Sequence, residues 1–370
     1  MNIDKKLNEM EPKDTPLLVL GYVILGMFLL LPLTAQATDN EVNLVQQGDN
    51  LTVDILQAGY GNTIRNLTST TTPAVLNGAT MNVSLQQIGI YNDIGIWTSG
   101  SNQVLDTYIE GDYNEVFLDN HGDYGQLKAD IIGDNNYAWL EQGTTNSNQY
   151  NQLQLYQAGD NHDATIEAYS GDSNSIDVYM GNGQDDNYVF VLTQSGSDSN
   201  NIRVWQGKHD DGSTDADETG GHEAYWIVSG DSNNLASYQT DVNRGGGGGD
   251  YHHLAHYITG DSNAVEHIQM GKAGHDGFVD ITGNSNTVDL YQRGNGGQKW
   301  ADIVLDGSGH TVDVEQRGSQ NATAAIDLTY GTGAYTFDLS QNVTSATATY
   351  SITGICNNSG GCSLTVNQNN

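Results

Sequence analysis

The feature that most restricts this chain is a short alternating segment that keeps returning. Thr287–Gly294 reads TVDLYQRG, and Thr311–Gly318 reads TVDVEQRG. In an extended strand Val288, Leu290 and Gln292 share one face while Asp289 and Tyr291 share the other, so the inward face would hold an amide beside its aliphatic residues. A single strand of this kind says little. Versions of it recur along almost the whole chain, and such self-similarity is the signature of a stacked repeat architecture.

The first arms are Val42–Asn50 and Val53–Asn62, and the pattern resumes at Val83, Leu85, Gln87 and Gly89 after a Thr-rich insertion at Ser69–Thr72. In the middle of the chain Ile109 and Asn120 stand in the Gln place before Gln142 and Gln157 restore it. Beyond residue 164 two kinds of arm alternate. One carries Gln, or Met180 in its place, and the other ends in a Gly-Asp-Ser-Asn turn or a variant of it. The residues closing those turns, Asn174, Asn200, Asn233, Asn263, Asn286 and His310, are 23 to 33 residues apart. Each interval has room for two short strands and two turns, and Gly, Asp, Ser and Asn suit tight turns because they tolerate left-handed backbone or bond to their own backbone.

The expected fold is therefore all-β, a β-solenoid of about twelve stacked strand-turn-strand coils. At ~4.8 Å between hydrogen-bonded strands the stack would be on the order of 55–60 Å long. Equivalent residues of successive coils form columns. Inward Val, Ile and Leu would fill a thin core, and Gln46, Gln57, Gln87, Gln142, Gln157, Gln206, Gln239, Gln269, Gln292 and Gln316 would form an amide ladder along it. A buried Gln lacking such partners costs about 1–3 kcal/mol, so its regular return implies that the partners return as well.

Residues 1–37 differ from the rest. Lys5, Lys6 and Lys13 precede an apolar run from Leu17 to Leu33, and Ala35-Gln36-Ala37 has the A-x-A form of a signal peptidase site. A cleaved signal peptide at 1–37, followed by a repeat domain at 38–370, is the expected organisation, with export to the cell surface or beyond; a retained membrane anchor is the alternative, the 17-residue apolar run lying near the lower limit for spanning. Two insertions interrupt the repeat domain, near 208–221 and 240–250. The two cysteines, Cys356 and Cys362, are expected to close the C-terminal turn as a disulfide, as suits an exported chain.

There are 46 acidic against 12 basic residues, which argues against nucleic acid as a partner because phosphate binding relies on Lys and Arg. The acidity serves solubility or gathers cations. One outward column holds Asp54, Asp177, Glu266, Asp289 and Asp313, with Arg203 as the exception. Like charges one coil apart repel by about 0.9 kcal/mol per pair in bulk water, so salt, calcium or low pH should ease assembly. A second outward column, Leu56, Tyr156, Tyr179, Trp205, Tyr238, Ile268, Tyr291 and Glu315, is mostly aromatic. It either steadies neighbouring strands or offers a stripe to a polysaccharide or another filament.

The arms resemble curlin repeats, the units of a secreted functional amyloid that coats many bacteria. Curlin repeats read approximately S-x5-Q-x-G-x-x-N-x-A-x3-Q, and Thr287–Gly294, Thr311–Asn321 and Val53–Asn62 follow the first half closely. Where curlin carries a second inward Gln, this chain has Val228, Ile258, Ile281 and Leu305. The resemblance implies a structural subunit or accessory of extracellular amyloid fibres in adhesion and biofilm matrix. Its partners would be further copies or other curlin-like subunits, with outer-membrane secretion or nucleation factors. A monomeric β-solenoid adhesin that binds glycans is the alternative.

No enzyme or cofactor is expected. The acidic loop at His209–Glu218 fits neither the EF-hand nor the calcium-binding nonapeptide spacing. His252 and His256 would share a strand face and His267 would point inward, but metal binding would need a third ligand in reach. No Gly-rich segment is followed by a P-loop lysine, and no Ser/His/Asp set or paired acid and base stands out. A polysaccharide-cleaving β-helix would need such groups in a cleft. The C-terminal disulfide is expected to block one end of the stack and leave the N-terminal coils open.

Overall fold

The computed structural model describes residues 40–369 apart from 43–44, 48–49, 60–61, 66–73, 78, 90, 100, 112, 122–123, 134, 144–149, 159–161, 170–172, 182–186, 194–198, 208–221, 241–251, 271–273, 294–297, 308, 319–320, 329–333, 343–347 and 355–361. The expected signal peptide, the two insertions apart from Thr240, and Cys356 lie outside the described residues. The chain divides into two compact units, Met1–Thr38 and Asp39–Asn370. The second is a β-solenoid.

Its strands, numbered β1–β28 in chain order, run from β1 (Asn40–Val42) to β28 (Ser363–Asn369), and no helix occurs among the described residues. They form two parallel sheets, one of fifteen strands and one of thirteen. From β6 (Thr80–Ile88) onward the chain alternates between the sheets strand by strand, so the crossover that every parallel pair requires is there the facing strand and its two turns. Thirteen strands in one sheet is one more than the dozen coils expected.

The core is the space between the sheets. A strand such as β8 (Asn102–Glu110) buries Gln103, Leu105, Thr107 and Ile109 and turns the intervening residues outward. The alternation keeps strict register from coil to coil. One inward column reads Val53, Val83, Leu105, Leu127, Leu153, Ile176, Ile202, Leu235, Val265, Val288, Val312, Phe337 and Leu364 without a slip. Full burial of each such side chain contributes ~1.5–3 kcal/mol. The facing column Val228, Ile258, Ile281, Leu305 and Leu328 is aliphatic throughout, as expected from the second arm.

The turns stack as closely as the strands. Ser232, Ser262 and Ser285 adopt left-handed φ of 58–59°, and the Ser232 and Ser262 amides donate to Asp261 and Asn284 carbonyls one coil on, each at 2.8 Å. Gly260, Gly283 and Gly307 form a column in which a Cβ on Gly283 would lie 2.0 Å from the Gly260 oxygen. Gly283 also has φ of 142°, a backbone angle that other residues rarely adopt. Gly283→Ala is therefore expected to lower stability by at least ~2 kcal/mol, measured by thermal unfolding followed by circular dichroism; an unchanged midpoint would contradict this packing.

Candidate functional site: ladders, outer faces and the open end

Six glutamines form an unbroken ladder in the thirteen-stranded sheet. The Nε2 atoms of Gln239, Gln269, Gln292, Gln316 and Gln341 each donate to the Oε1 atom of the Gln one coil earlier, at 2.8–3.0 Å. The same Nε2 atoms also donate to backbone carbonyls where the facing strand begins. Gln239 reaches His222 and His253, Gln269 reaches His252 and Asp276, and Gln292 reaches Trp300. Those carbonyls do for this chain what a second column of side-chain amides would do, which is why an aliphatic column can stand opposite.

The register divides the expected ladder. Gln57 and Gln87 share the column with Gln206 to Gln341, and Gln87 donates to Gln57 at 2.8 Å. Ile109 and Ile131 then interrupt it, and Gln157 sits between Ile131 and Met180. Without an amide neighbour, Gln157 turns to the Asp163 carbonyl at 3.4 Å. Gln46 and Gln142 belong to the facing sheet instead, Gln46 beside Leu76 and Gln142 between Asn120 and Ala168. The sequence carried this distinction: 11 residues separate Gln46 from Gln57 and 15 separate Gln142 from Gln157, half a coil rather than a whole one.

The turn asparagines are a second ladder. Asn151, Asn174, Asn200, Asn233, Asn263 and Asn286 are buried in one column that continues to His310 and Tyr335. From Asn151 through Asn233 each Nδ2 donates to the next Asn Oδ1 at 2.8–3.0 Å. Donation runs toward the C-terminus here and toward the N-terminus in the glutamine ladder.

At the opposite corner lies a polar column that the sequence reading missed: Asn62, Asn92, Asn114, Asn136, His162, Asn187, His222, His252, His275 and Lys299, all buried. The spacing that would have found it is G-x-x-N, as at Gly59–Asn62, Gly89–Asn92, Gly111–Asn114 and Gly133–Asn136. Along it the rings of His222, His252 and His275 stack at 5.0 and 5.1 Å.

His256 lies deeper, stacked on Trp226 at 4.3 Å and edge-on to His267 at 5.9 Å. Burial pushes His256 down to about 3, and burial followed by the neighbouring His256 holds His267 well below the usual imidazole range. Both rings pack as neutral groups. Among the described residues no set of His, Cys, Asp or Glu is arranged to hold a metal ion.

On the outer face the aromatic column is real. Tyr156 and Tyr179 stack at 5.0 Å with planes 2° apart, and Trp205 and Tyr238 at 4.9 Å and 23°. The rings turn their faces to one another along the stack, which is the strand-steadying arrangement and leaves ring edges outward.

The neighbouring charge column gains Lys128, which bridges Asp106 and Asp130 at 3.6 and 2.6 Å, while Arg203 binds Asp177 at 2.8 Å. Glu266, Asp289, Asp313 and Asp338 then follow with no cation among them. Burial, and next the adjacent carboxylates, raise Asp289 and Asp313.

The C-terminal end is open. Among the described residues the strands β27 (Thr349–Gly354) and β28 are the last of their sheets, and each pairs on one side only. Leu364, in the continuous apolar column, is 58% exposed, and Ile352 and Val366 are half-buried. Cys362, just before β28, is disulfide-bonded. The bridge that was expected to block this end spans residues 355–361, outside the described residues; among the described residues the terminal coil presents its backbone and apolar side chains.

These features define a class, a parallel β-solenoid with amide ladders and an exposed terminal coil. Within it, the family of the curlin associated repeat matches residues 283–318, from the Gly283 turn through the second copy of the opening motif. None of the curated proteins or solved structures compared matches the chain.

Proposed function

We propose that this protein is a secreted structural protein, a curlin-like subunit or accessory of extracellular fibres in adhesion and biofilm matrix, with no catalytic role. The observation that carries the reading is the column from Gln57 to Gln368, which passes through all thirteen strands without a register shift. Because the ends are in step, β28 of one copy can continue into β3 (Leu51–Ala58) of the next. Leu364 then meets Val53, Val366 meets Ile55, and Gln368 takes its place beside Gln57. Such a head-to-tail contact is heterologous and does not close on itself, so it propagates into a fibre. An exposed strand edge accepts the added strand by backbone pairing.

The contact is also favourable in charge, since Thr365 would separate Asp338 from Asp54 in the acidic column. Repulsion elsewhere along that column remains. Fibre growth of the purified protein at neutral pH, followed by thioflavin fluorescence and negative-stain imaging, is expected to show a shorter lag with millimolar calcium or raised salt. Equal lag times across these conditions would count against the charge argument, and soluble monomer in all of them would overturn the fibre reading.

A further inference from the structure

The geometry points to a binding groove for a neutral, linear polysaccharide at the corner that leads into the thirteen-stranded sheet. The groove encloses about 720 Å³ and crosses six successive strands, from β6 (Thr80–Ile88) to β16 (Asn201–Gly207). At ~4.8 Å per strand it is on the order of 24 Å long, a shape suited to a chain polymer rather than a compact ligand.

Its chemistry is unlike the rest of the surface. In a protein of formal net charge −34, none of the described lining residues is charged; they are mostly Asn, Gln, Ser and Thr, with Tyr124 standing 43% exposed beside them. A polyanion would be repelled by the surroundings and find no cation among the described lining residues. An extended peptide would need free backbone edges to pair with, but β8, β10 (Tyr124–Ile132) and β12 (Tyr150–Ala158) are each paired on both sides. Recognition is left to side-chain amides, hydroxyls and one ring, the groups that bind uncharged sugars.

The groove also has unmet hydrogen-bonding capacity. The asparagine ladder begins at Asn151, and Gly125 occupies the column position before it, between Gln103 and Asn151. Gln103 is 1% exposed and neither of its amide atoms has a hydrogen-bond partner; Asn151 Oδ1 and both amide atoms of Gln142 are in the same condition. Gln142 lies directly beneath Gly125, its Nε2 1.9 Å from where a Cβ would be. Gln103 and Asn151 line the groove, with Gln142 behind Gly125, although buried amides ordinarily find partners. Sugar hydroxyls, which both donate and accept, would partner the lining Gln103 and Asn151 once their side chains turn toward the groove. The site is separate from the terminal coil, so it does not depend on fibre formation.

Native affinity electrophoresis of the full chain tests this, with hydroxyethylcellulose or dextran as neutral probes and alginate as the anionic one. Retardation is expected on a neutral glucan and not on alginate. Gln103→Leu is expected to weaken binding about tenfold, as loss of a matched polar contact does, while its thermal midpoint stays or rises because an unpartnered amide is removed. Tyr124→Ala should weaken retardation as well, and Trp205→Ala, on the outer aromatic face, should not. The proposal is overturned by absence of retardation on both neutral glucans, by stronger retardation on alginate, by equal retardation of wild type and Gln103→Leu, or by loss confined to Trp205→Ala.

Discussion

Leu364→Lys is expected to abolish fibre elongation while leaving the fold intact. Leu364 is the last member of the apolar column and the most exposed of the large apolar side chains on the final two strands. It makes few of the contacts that fold the chain, so a lysine there keeps its ammonium in water and costs the monomer little. At the junction the same lysine would be driven against Val53 of the next copy. Burying an unpaired ammonium costs several kcal/mol, enough to reduce the equilibrium for adding a subunit by a factor on the order of 10³. Thioflavin-monitored growth from wild-type seeds reads the effect, with circular dichroism as the check on folding. Elongation at the wild-type rate would show that the C-terminal coil is not the growing surface.

The second large effect is on acid stability. For His256 the folded value, about 3, lies below the ordinary imidazole value of 6.5. Between those limits the unfolded chain binds the proton and the folded chain does not, so stability rises with pH. The contribution is complete above about 6.5 and is lost as pH falls toward 3, on the order of 3–5 kcal/mol over that span. His267 acts in the same direction. The paired substitutions His256→Phe and His267→Leu keep a ring stacked on Trp226 and continue the apolar column toward Leu290. The double variant should lose much less of its thermal midpoint between pH 7 and pH 4.5 than the wild type does. An identical acid loss in both proteins would contradict the neutral packing of these rings.

The carboxylates work against the histidines. Burial, then the charges of Asp119 and Glu167, pushes Glu141 up to about 7. A raised carboxyl contributes stability below its unfolded value that is lost as pH rises through the folded one. Acid thus relieves Glu141, Asp289 and Asp313 but opposes His256 and His267. Calcium relieves only the first group, which makes it a cleaner probe of column repulsion than the low pH that the sequence suggests.

How much of this was legible depended on whether the signal was local. The parity of Val288, Leu290 and Gln292 gave the inward face directly, because a strand has period two and the core is apolar. The aliphatic second arm was equally plain at Val228, Ile258, Ile281 and Leu305. Sheet membership was not, since an arm of the facing sheet has the same parity; only the half-coil spacing of Gln46 and Gln142 separated them from the ladder. The corner column from Asn62 to Lys299 was hidden for another reason. Its residues change from Asn to His to Lys, so what repeats is a burial position rather than a residue type.

Cross-linking across the proposed junction tests the central claim most directly. Thr365 and Asp54 are exposed and share one column, so in head-to-tail fibres they become adjacent across copies, within the Cα separation a disulfide requires. Thr365→Cys and Asp54→Cys chains are assembled together, oxidised, and run on a non-reducing gel. The account predicts a covalent dimer that forms only when both variants are present and fibres have grown. Fibres that contain both variants yet yield no such dimer would contradict it.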